Sequence, residues 1–280
     1  MPLPILQVRS EPTEADLLRL FHRADSNWIA GVADATQLEC GTAYANAALG
    51  SVWDANNIRD AALPEGMAAA EAVAEVDSHY AGQGVRCAYW VLNPSAPQAQ
   101  TRPLADHLRS SGWKVLPEDI FYLRKVTPGS LTPATGLTII PARASYKHAR
   151  ILAAEDQEGA DAEQRVEARM QHLDDPHYDA LLALKGDRPV AHVGVLAVGE
   201  LALIQGVYVS PDFRRQGIGR TMMGRALEIC ARSLFKHVFL STDPSNAPAQ
   251  ELYRGLGFAK LGELTRYFAE GVSAANSMGA

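Results

Sequence analysis

The stretch Ser210–Met223, "SPDFRRQGIGRTMM", decides how the rest of the chain is read. Two adjacent arginines and two closely spaced glycines lie between an apolar run, "ELALIQGVYVS" (Glu200–Ser210), and a run of helical periodicity. In the second run Ile218, Met222, Ala226, Ile229, Cys230 and Leu234 recur at three- and four-residue spacings, which predicts a helix over 217–234 with a core-facing stripe. A tight glycine loop between a strand and a helix start turns several main-chain N–H groups toward one point, at the positive end of the helix dipole. Gly217 and Gly219 permit unusual backbone angles and close approach of a ligand. Arg214, Arg215 and Arg220 add charge-assisted donors, each worth about 1.5–3 kcal/mol when well placed. The bland reading is a solvated basic turn; the sharper one is a phosphate site.

Three phosphate loops compete for the segment. A P-loop needs GxxxxGK[ST], and no lysine follows these glycines. A dinucleotide fingerprint needs GxGxxG, but "GIGRTM" puts Met222 at the third glycine, and the strands before it read as hairpins. The third pattern, RxxGxG, fits Arg214–Gly219, preceded by "VYVSP" (Val207–Pro211) and followed by "NAPAQELYRGLGF" (Asn246–Phe258). Together these closely resemble the GNAT superfamily of acyl-CoA-dependent N-acyltransferases. The order of elements over 137–270 also matches that fold: a strand, two helices, three strands joined by hairpin turns, the loop and its helix, a strand, a second helix, and one or two last strands.

The resemblance implies acetyl-CoA as the cofactor. Backbone amides over Arg215, Gln216, Gly217, Ile218, Gly219 and Arg220, beside Arg214, would hold its pyrophosphate. The main chain of Val207, Tyr208 and Val209 would pair with the pantetheine arm as an added strand; two amides in that arm suit an edge of unpaired backbone groups. Asn246 would lie near the same arm, a role compatible with its reading as a helix N-cap. Tyr253 would protonate the departing thiolate. The acceptor is then a primary amine on a small molecule or peptide, attacking directly in a ternary complex.

An alkyl amine, with a pKa of about 10.4, must lose a proton before it attacks. Many members of the superfamily carry a glutamate on the strand before the loop; here that strand has no acid inside it, and Glu200 stands only at its start. His192, Glu200, Asp243 and a water chain are the candidates, and Gln205 can orient a water but not accept its proton. Cys230 falls late in the helix on its apolar stripe, which argues against a covalent acyl-enzyme. The missing strand acid leaves a rival reading, a non-catalytic acyl-CoA sensor or interaction module.

The remaining sequence sets the frame. At 280 residues the chain suggests two domains, and "TPGSLTPATG" (127–136) reads as the linker between 1–126 and 137–270, with a fraying tail at 271–280. The first part repeats the second in outline. "VRCAYWVLNPSA" and "LADHLRSSGWKV" echo "VFLSTDPSNA" and "ELYRGLGFAKL": strand, "PS" turn, helix, glycine, aromatic. A helix over Glu65–Tyr80 precedes the first copy, which has no RxxGxG and places Leu108 where Tyr253 stands. The expected fold is therefore mixed α/β, two GNAT-like domains in tandem, the first degenerate and serving structure or the substrate cleft. A net charge of −6 does not suggest nucleic acid and is compatible with a cationic substrate. Cys40, Cys87 and Cys230 form no metal-ligand spacing. Without a signal-like start or a membrane-length apolar run, a reducing, cytoplasmic setting is expected, with no membrane partner.

Overall fold

The structure, a computed structural model, describes residues 11–124, 126, 134–155, 157 and 161–269. Of the expected linker only 134–136 is described, and the expected tail lies outside the described residues. The first part of the chain folds as α1 (Glu14–Ala30), β1 (Asp34–Leu38), β2 (Gly41–Ala45), β3 (Asn57–Ala61), α2 (Ala69–Gly82), β4 (Tyr89–Leu92), α3 (Gln98–Ser110) and β5 (Lys114–Leu123). The second follows as β6 (Thr138–Pro141), α4 (Tyr146–Ala154), α5 (Ala162–His172), β7 (Tyr178–Lys185), β8 (Arg188–Val198), β9 (Leu201–Val209), α6 (Ile218–Arg232), β10 (His237–Thr242), α7 (Ala247–Arg254) and β11 (Ala259–Phe268). One sequence expectation shifts. The helix expected from Glu65 begins at Ala69, because Pro64 and Gly66 (φ +85°) bend the chain into a turn first. Of the one or two last strands expected, the structure forms one, β11.

Among the described residues eleven strands form one sheet, in the order β1-β2-β3-β4-β11-β5-β10-β9-β8-β7-β6. The two central strands are exchanged. β11, the end of the second part, lies antiparallel between β4 and β5 of the first; β5 in turn lies antiparallel between β11 and β10. β3 and β4 pair in parallel, as do β9 and β10, so the two parts are arranged alike about the β5–β11 pair.

The likeness extends to single residues. α3 and α7 end in the same way: Trp113 N–H bonds Leu108 O and Phe258 N–H bonds Tyr253 O, with Gly112 (φ +87°) and Gly257 (φ +92°) at the left-handed position. α2 and α6 end alike too, Val85 N–H on Tyr80 O and Phe235 N–H on Cys230 O. β3 and β9 each carry one left-handed residue at a register shift, Asp60 (φ +52°) and Gly206 (φ +62°).

Strand alternation divides the core by face. Phe239 packs with Leu203, Phe268 and the α1 residues Leu17 and Phe21, so the first helix of the chain covers strands of its second part. On the other face Val238 and Leu240 pack under α6 with Met222, Met223 and Ala226, and a separate core with Trp90 and Leu108 lies under α2 and α3. Trp28 of α1 stacks on His172 of α5, ring centroids 3.4 Å apart, and ties the parts together again.

Candidate active site

β9 and β10 pair through three positions, Leu201–His237, Ala202–Val238 and Leu203–Phe239, and then part. Beyond Leu203 the β10-facing edge of β9 pairs with no strand among the described residues, while its other edge stays bonded to β8 as far as Val209. The bulge at Gly206 falls within the open stretch. Gly206 also admits a neighbour: a Cβ there would lie 2.9 Å from His192 Nδ1. The opened edge runs through Val207, Tyr208 and Val209 and ends at the glycine loop.

The loop turns through two left-handed residues, Arg215 (φ +62°) and Gly217 (φ +78°), and α6 starts at Ile218. Among the described residues no side chain caps α6, and no acid stands in its first turn. α3 and α4 start in the same way, whereas Asp16 and Thr13 close the start of α1, Glu71 takes the Ala68 N–H at the start of α2, and Asn246 Oδ1 takes the Ala249 N–H in α7; α6 differs from α3 and α4 in following the parted edge of β9 through a glycine loop. The α6 amides and its dipole are thus left for an anion from outside. A Cβ at Gly219 would meet only ordinary contacts, at 3.5 Å to Leu252 and 3.6 Å to Val209, so the fold itself does not demand this glycine. The arginines divide their work. Arg214 Nε donates to Val209 O (3.0 Å) and fixes the strand end, and Arg220 reaches Gly255 O (3.4 Å). Gln216 is held between Asp212 O and Lys185 Nζ. The Tyr208 hydroxyl donates to Glu155, as does Ser210, so the side chain of Tyr208 turns to α4 while its main chain stays on the strand.

Tyr253 lies on α7, packed against Phe121 and Phe258, and burial pushes the pKa of its phenol well up. It therefore keeps its proton at neutral pH. The candidate bases fare differently. The His192 ring donates from Nδ1 to Gly206 O (2.8 Å), which fixes the neutral tautomer; burial, only partly offset by that bond, lowers its pKa to about 4. Glu200 pairs with Lys236 (2.6 Å) at the far end of β9 from the loop. Asp243 caps the turn before α7, accepting from Ser245 N (2.6 Å). Cys230 is buried in the core, as are Cys40 and Cys87.

A cavity of about 40 Å³, which no local feature of the sequence marks, lies at the point where β9 and β10 separate. Gln205 and Ser241, each two residues beyond the last strand pair, line it with Glu118 of β5 and residues of α1 and β11. Ser241 Oγ donates to Glu118 (2.9 Å), and Arg266 pairs with the same carboxylate. Glu118 is silent in the sequence because β5 belongs to the first part of the chain and reaches this place only through strand exchange.

Among the described residues the first part has no equivalent opening. After Ile58–Trp90, β3 and β4 pair again at Ala61–Leu92, Asn93 N–H bonds Ala61 O (2.9 Å), and Leu63 N–H bonds Gln100 O (3.0 Å). These bonds close the β3–β4 edge where β9 and β10 part.

Residues 146–258 match the family model described as "Acetyltransferase (GNAT) family". The chain is 28% identical over 98 residues to a Bacillus subtilis protein named for alanine N-acetylation of ribosomal protein bS18, covering 35% of this chain and 65% of that one. It is 35% identical over 72 residues to the streptothricin acetyltransferase of Streptomyces lavendulae, 26% of this chain and 38% of that one. The chain thus spans less than two thirds of the length of these relatives. Among solved structures, a GCN5-related N-acetyltransferase from Kribbella flavida superposes over 91% of this chain and 96% of its own, with a TM-score of 0.65 and 18% identity. A tandem GNAT protein from the clavulanic acid biosynthesis pathway superposes over 74% of this chain and 69% of its own, with a TM-score of 0.51 and 16% identity. At these identities the structural likeness speaks to the fold. Among the described residues no helix is long and apolar enough to cross a membrane, and no group of three His, Cys, Asp or Glu side chains is placed to hold a metal ion.

Proposed function

We propose that the second part of the chain is a GNAT-family acetyltransferase domain that transfers the acetyl group of acetyl-CoA to a primary amine by direct attack. The observation that carries this reading is the parted edge of β9 leading to the uncapped start of α6. Along Val207, Tyr208 and Val209 the edge meets no strand among the described residues, with the Val209 carbonyl held by Arg214, and such an edge suits the amides of a pantetheine arm. Backbone amides over Arg215–Arg220, with Arg214 beside them, suit the pyrophosphate. Asn246 caps the start of α7 and would stand beside the arm.

Acetyl-CoA would supply the thioester. The chain's own part is to fix the carbonyl at the bulge, to protonate the thiolate from Tyr253, and to receive the amine at the cavity between β9 and β10. The amine's proton leaves toward that cavity, whose carboxylates stand on α1, on the segment before β3 and on β5 instead of on β9. The closed β3–β4 edge favours one cofactor site per chain, with the first part building the acceptor side.

Release of CoA thiol decides between transfer and the sensor reading. Tyr253→Phe should lower kcat by about 10²–10⁴ and leave acetyl-CoA affinity intact. Binding of acetyl-CoA without thiol release across a broad amine and peptide panel would overturn the enzyme reading.

A further inference from the structure

The bulge of β9 is held from the neighbouring strand. Leu182, Ala180 and Tyr178 of β7 stand opposite His192, Gly194 and Leu196 of β8, so these residues share the face covered by α1, α4 and α5. Along the other edge of β8, Gly206 and Val207 together face the single position of Val193, a bulge of two residues against one. Two rings from the shared face close over it. A Cβ at Gly206 would lie 2.9 Å from His192 Nδ1, 3.0 Å from its Cε1 and 3.7 Å from the Tyr178 hydroxyl. A Cβ at Gly194 would lie 2.0 Å from that same hydroxyl, so the Tyr178 ring occupies the space of a side chain there. Trp28 of α1 meets the Tyr178 ring edge-on, centroids 4.9 Å apart at 63°.

The imidazole does more than fill space. Its Nδ1 donates to Gly206 O at 2.8 Å, and the low pKa that burial gives it keeps the ring neutral with that proton in place. The carbonyl it holds belongs to a left-handed glycine (φ +62°), the residue with the freest backbone, on a stretch of β9 that no β10 residue steadies. Among the described residues no peptide bond is cis, and in a trans peptide the next N–H points opposite to the carbonyl. The bond that turns Gly206 O toward His192 therefore turns the Val207 N–H away from it. That N–H begins the stretch of β9 that runs to the glycine loop.

We propose that His192 is a positioning residue for the thioester: by holding the Gly206 carbonyl it fixes the Val207 N–H at the place where the acetyl oxygen is received. This rests on the acetyl-CoA reading of the site and gives His192 a part other than that of a base. It also joins the first part of the chain to the reacting centre, since Trp28 backs the Tyr178 ring that lies over the same bulge.

The test is calorimetric titration of the full chain with acetyl-CoA, S-ethyl-CoA and CoA. S-ethyl-CoA has nearly the size of acetyl-CoA and lacks its carbonyl oxygen. The wild type should bind acetyl-CoA about three- to tenfold tighter than S-ethyl-CoA, the worth of one hydrogen bond. His192→Leu should bring that ratio to about one and leave CoA and S-ethyl-CoA affinity within about twofold of wild type, since neither offers the carbonyl acceptor. His192→Asn, whose Nδ2 offers an N–H in place of Nδ1, should restore the preference. Equal weakening of all three ligands in His192→Leu, an unchanged ratio in that variant, or no preference in the wild type overturns the proposal. If His192→Leu does not fold, the wild-type chain decides by NMR. Its Val207 amide proton should move downfield with acetyl-CoA and not with S-ethyl-CoA; equal shifts overturn the proposal. If CoA itself does not bind, the acetyl-CoA reading falls and this inference with it; if CoA binds without an acetyl preference, this inference falls alone.

Discussion

Gly217→Ala and Gly219→Ala separate two reasons for a glycine. Gly217 sits at φ +78°, and a Cβ there would find nothing within 4 Å, so an alanine meets strain and no clash. That strain is about 1–2 kcal/mol for an L-residue in the left-handed region. Gly219 is helical, and its Cβ would lie 3.5 Å from Leu252 and 3.6 Å from Val209, ordinary packing distances. Alanine at a helical position is favoured over glycine by about 0.5–1 kcal/mol. Gly219→Ala should therefore unfold at the same temperature as the wild type or slightly above it, and Gly217→Ala below it. With CoA present the order changes. The new methyl at 219 stands where the pyrophosphate must approach the backbone, so Gly219→Ala should bind CoA at least tenfold more weakly, a loss of about 1.4 kcal/mol. Thermal unfolding with and without CoA, with calorimetry for affinity, reads both effects. If Gly219→Ala keeps full CoA protection, the phosphate does not sit over this helix start, and the assignment of the loop is wrong.

Three other perturbations reach different parts of the molecule. His172 is buried against Trp28, and burial lowers its pKa to about 3, so the unfolded chain binds a proton below pH 6.5 that the native chain refuses. Stability must then fall as the pH drops through that window, and between pH 7 and pH 5 a denaturant titration should find His172→Leu losing about 2 kcal/mol less than the wild type; equal losses would refute the linkage. Arg59→Leu leaves Asp25 ionised and buried without its main partner, and chemical denaturation should report a loss of about 3–5 kcal/mol. A fragment covering 134–269 lacks β5, so β10 and β11 lose the strand they share; it should be aggregated or unfolded by circular dichroism and gel filtration, and a monomeric folded fragment would contradict the exchange.

What the sequence made legible was whatever depends on near neighbours. The stripe of Met222, Ala226 and Cys230 announced α6, Asn246 and Gly257 marked the ends of the α7 unit, and the glycine loop stood out by composition alone. The echo of "SSGW" in "GLGF" proved to be a shared helix end, Leu108 matching Tyr253 bond for bond. What stayed hidden depends on long-range pairing. No local signal says that Lys114–Leu123 will lie beside His237–Thr242, because a strand's period of two records which face is buried and not which strand is its neighbour. Local signals for a base therefore reach no further than β9, its hairpin partner and the end of β10, and the carboxylates of the cavity, at positions 25, 54 and 118, carry none.

Strand exchange also makes the second part depend on a first part that carries no RxxGxG loop. Two copies joined only by a linker could fold apart. Here the second part depends on the first three times. β5 fills the place between β10 and β11, α1 covers Leu203 and Phe239 with Leu17 and Phe21, and Trp28 stacks on His172. Those contacts tie the backbone of the first part to the second. In the first part the β3–β4 edge is zipped by Asn93 and Leu63, Glu71 closes the start of α2, and Arg59, at the position before the left-handed Asp60 as Gln205 is before Gly206, is locked to Asp25. That ion pair ends in a carboxylate on the wall of the cavity between β9 and β10, so the closed side of one part and the cavity of the other share a side chain.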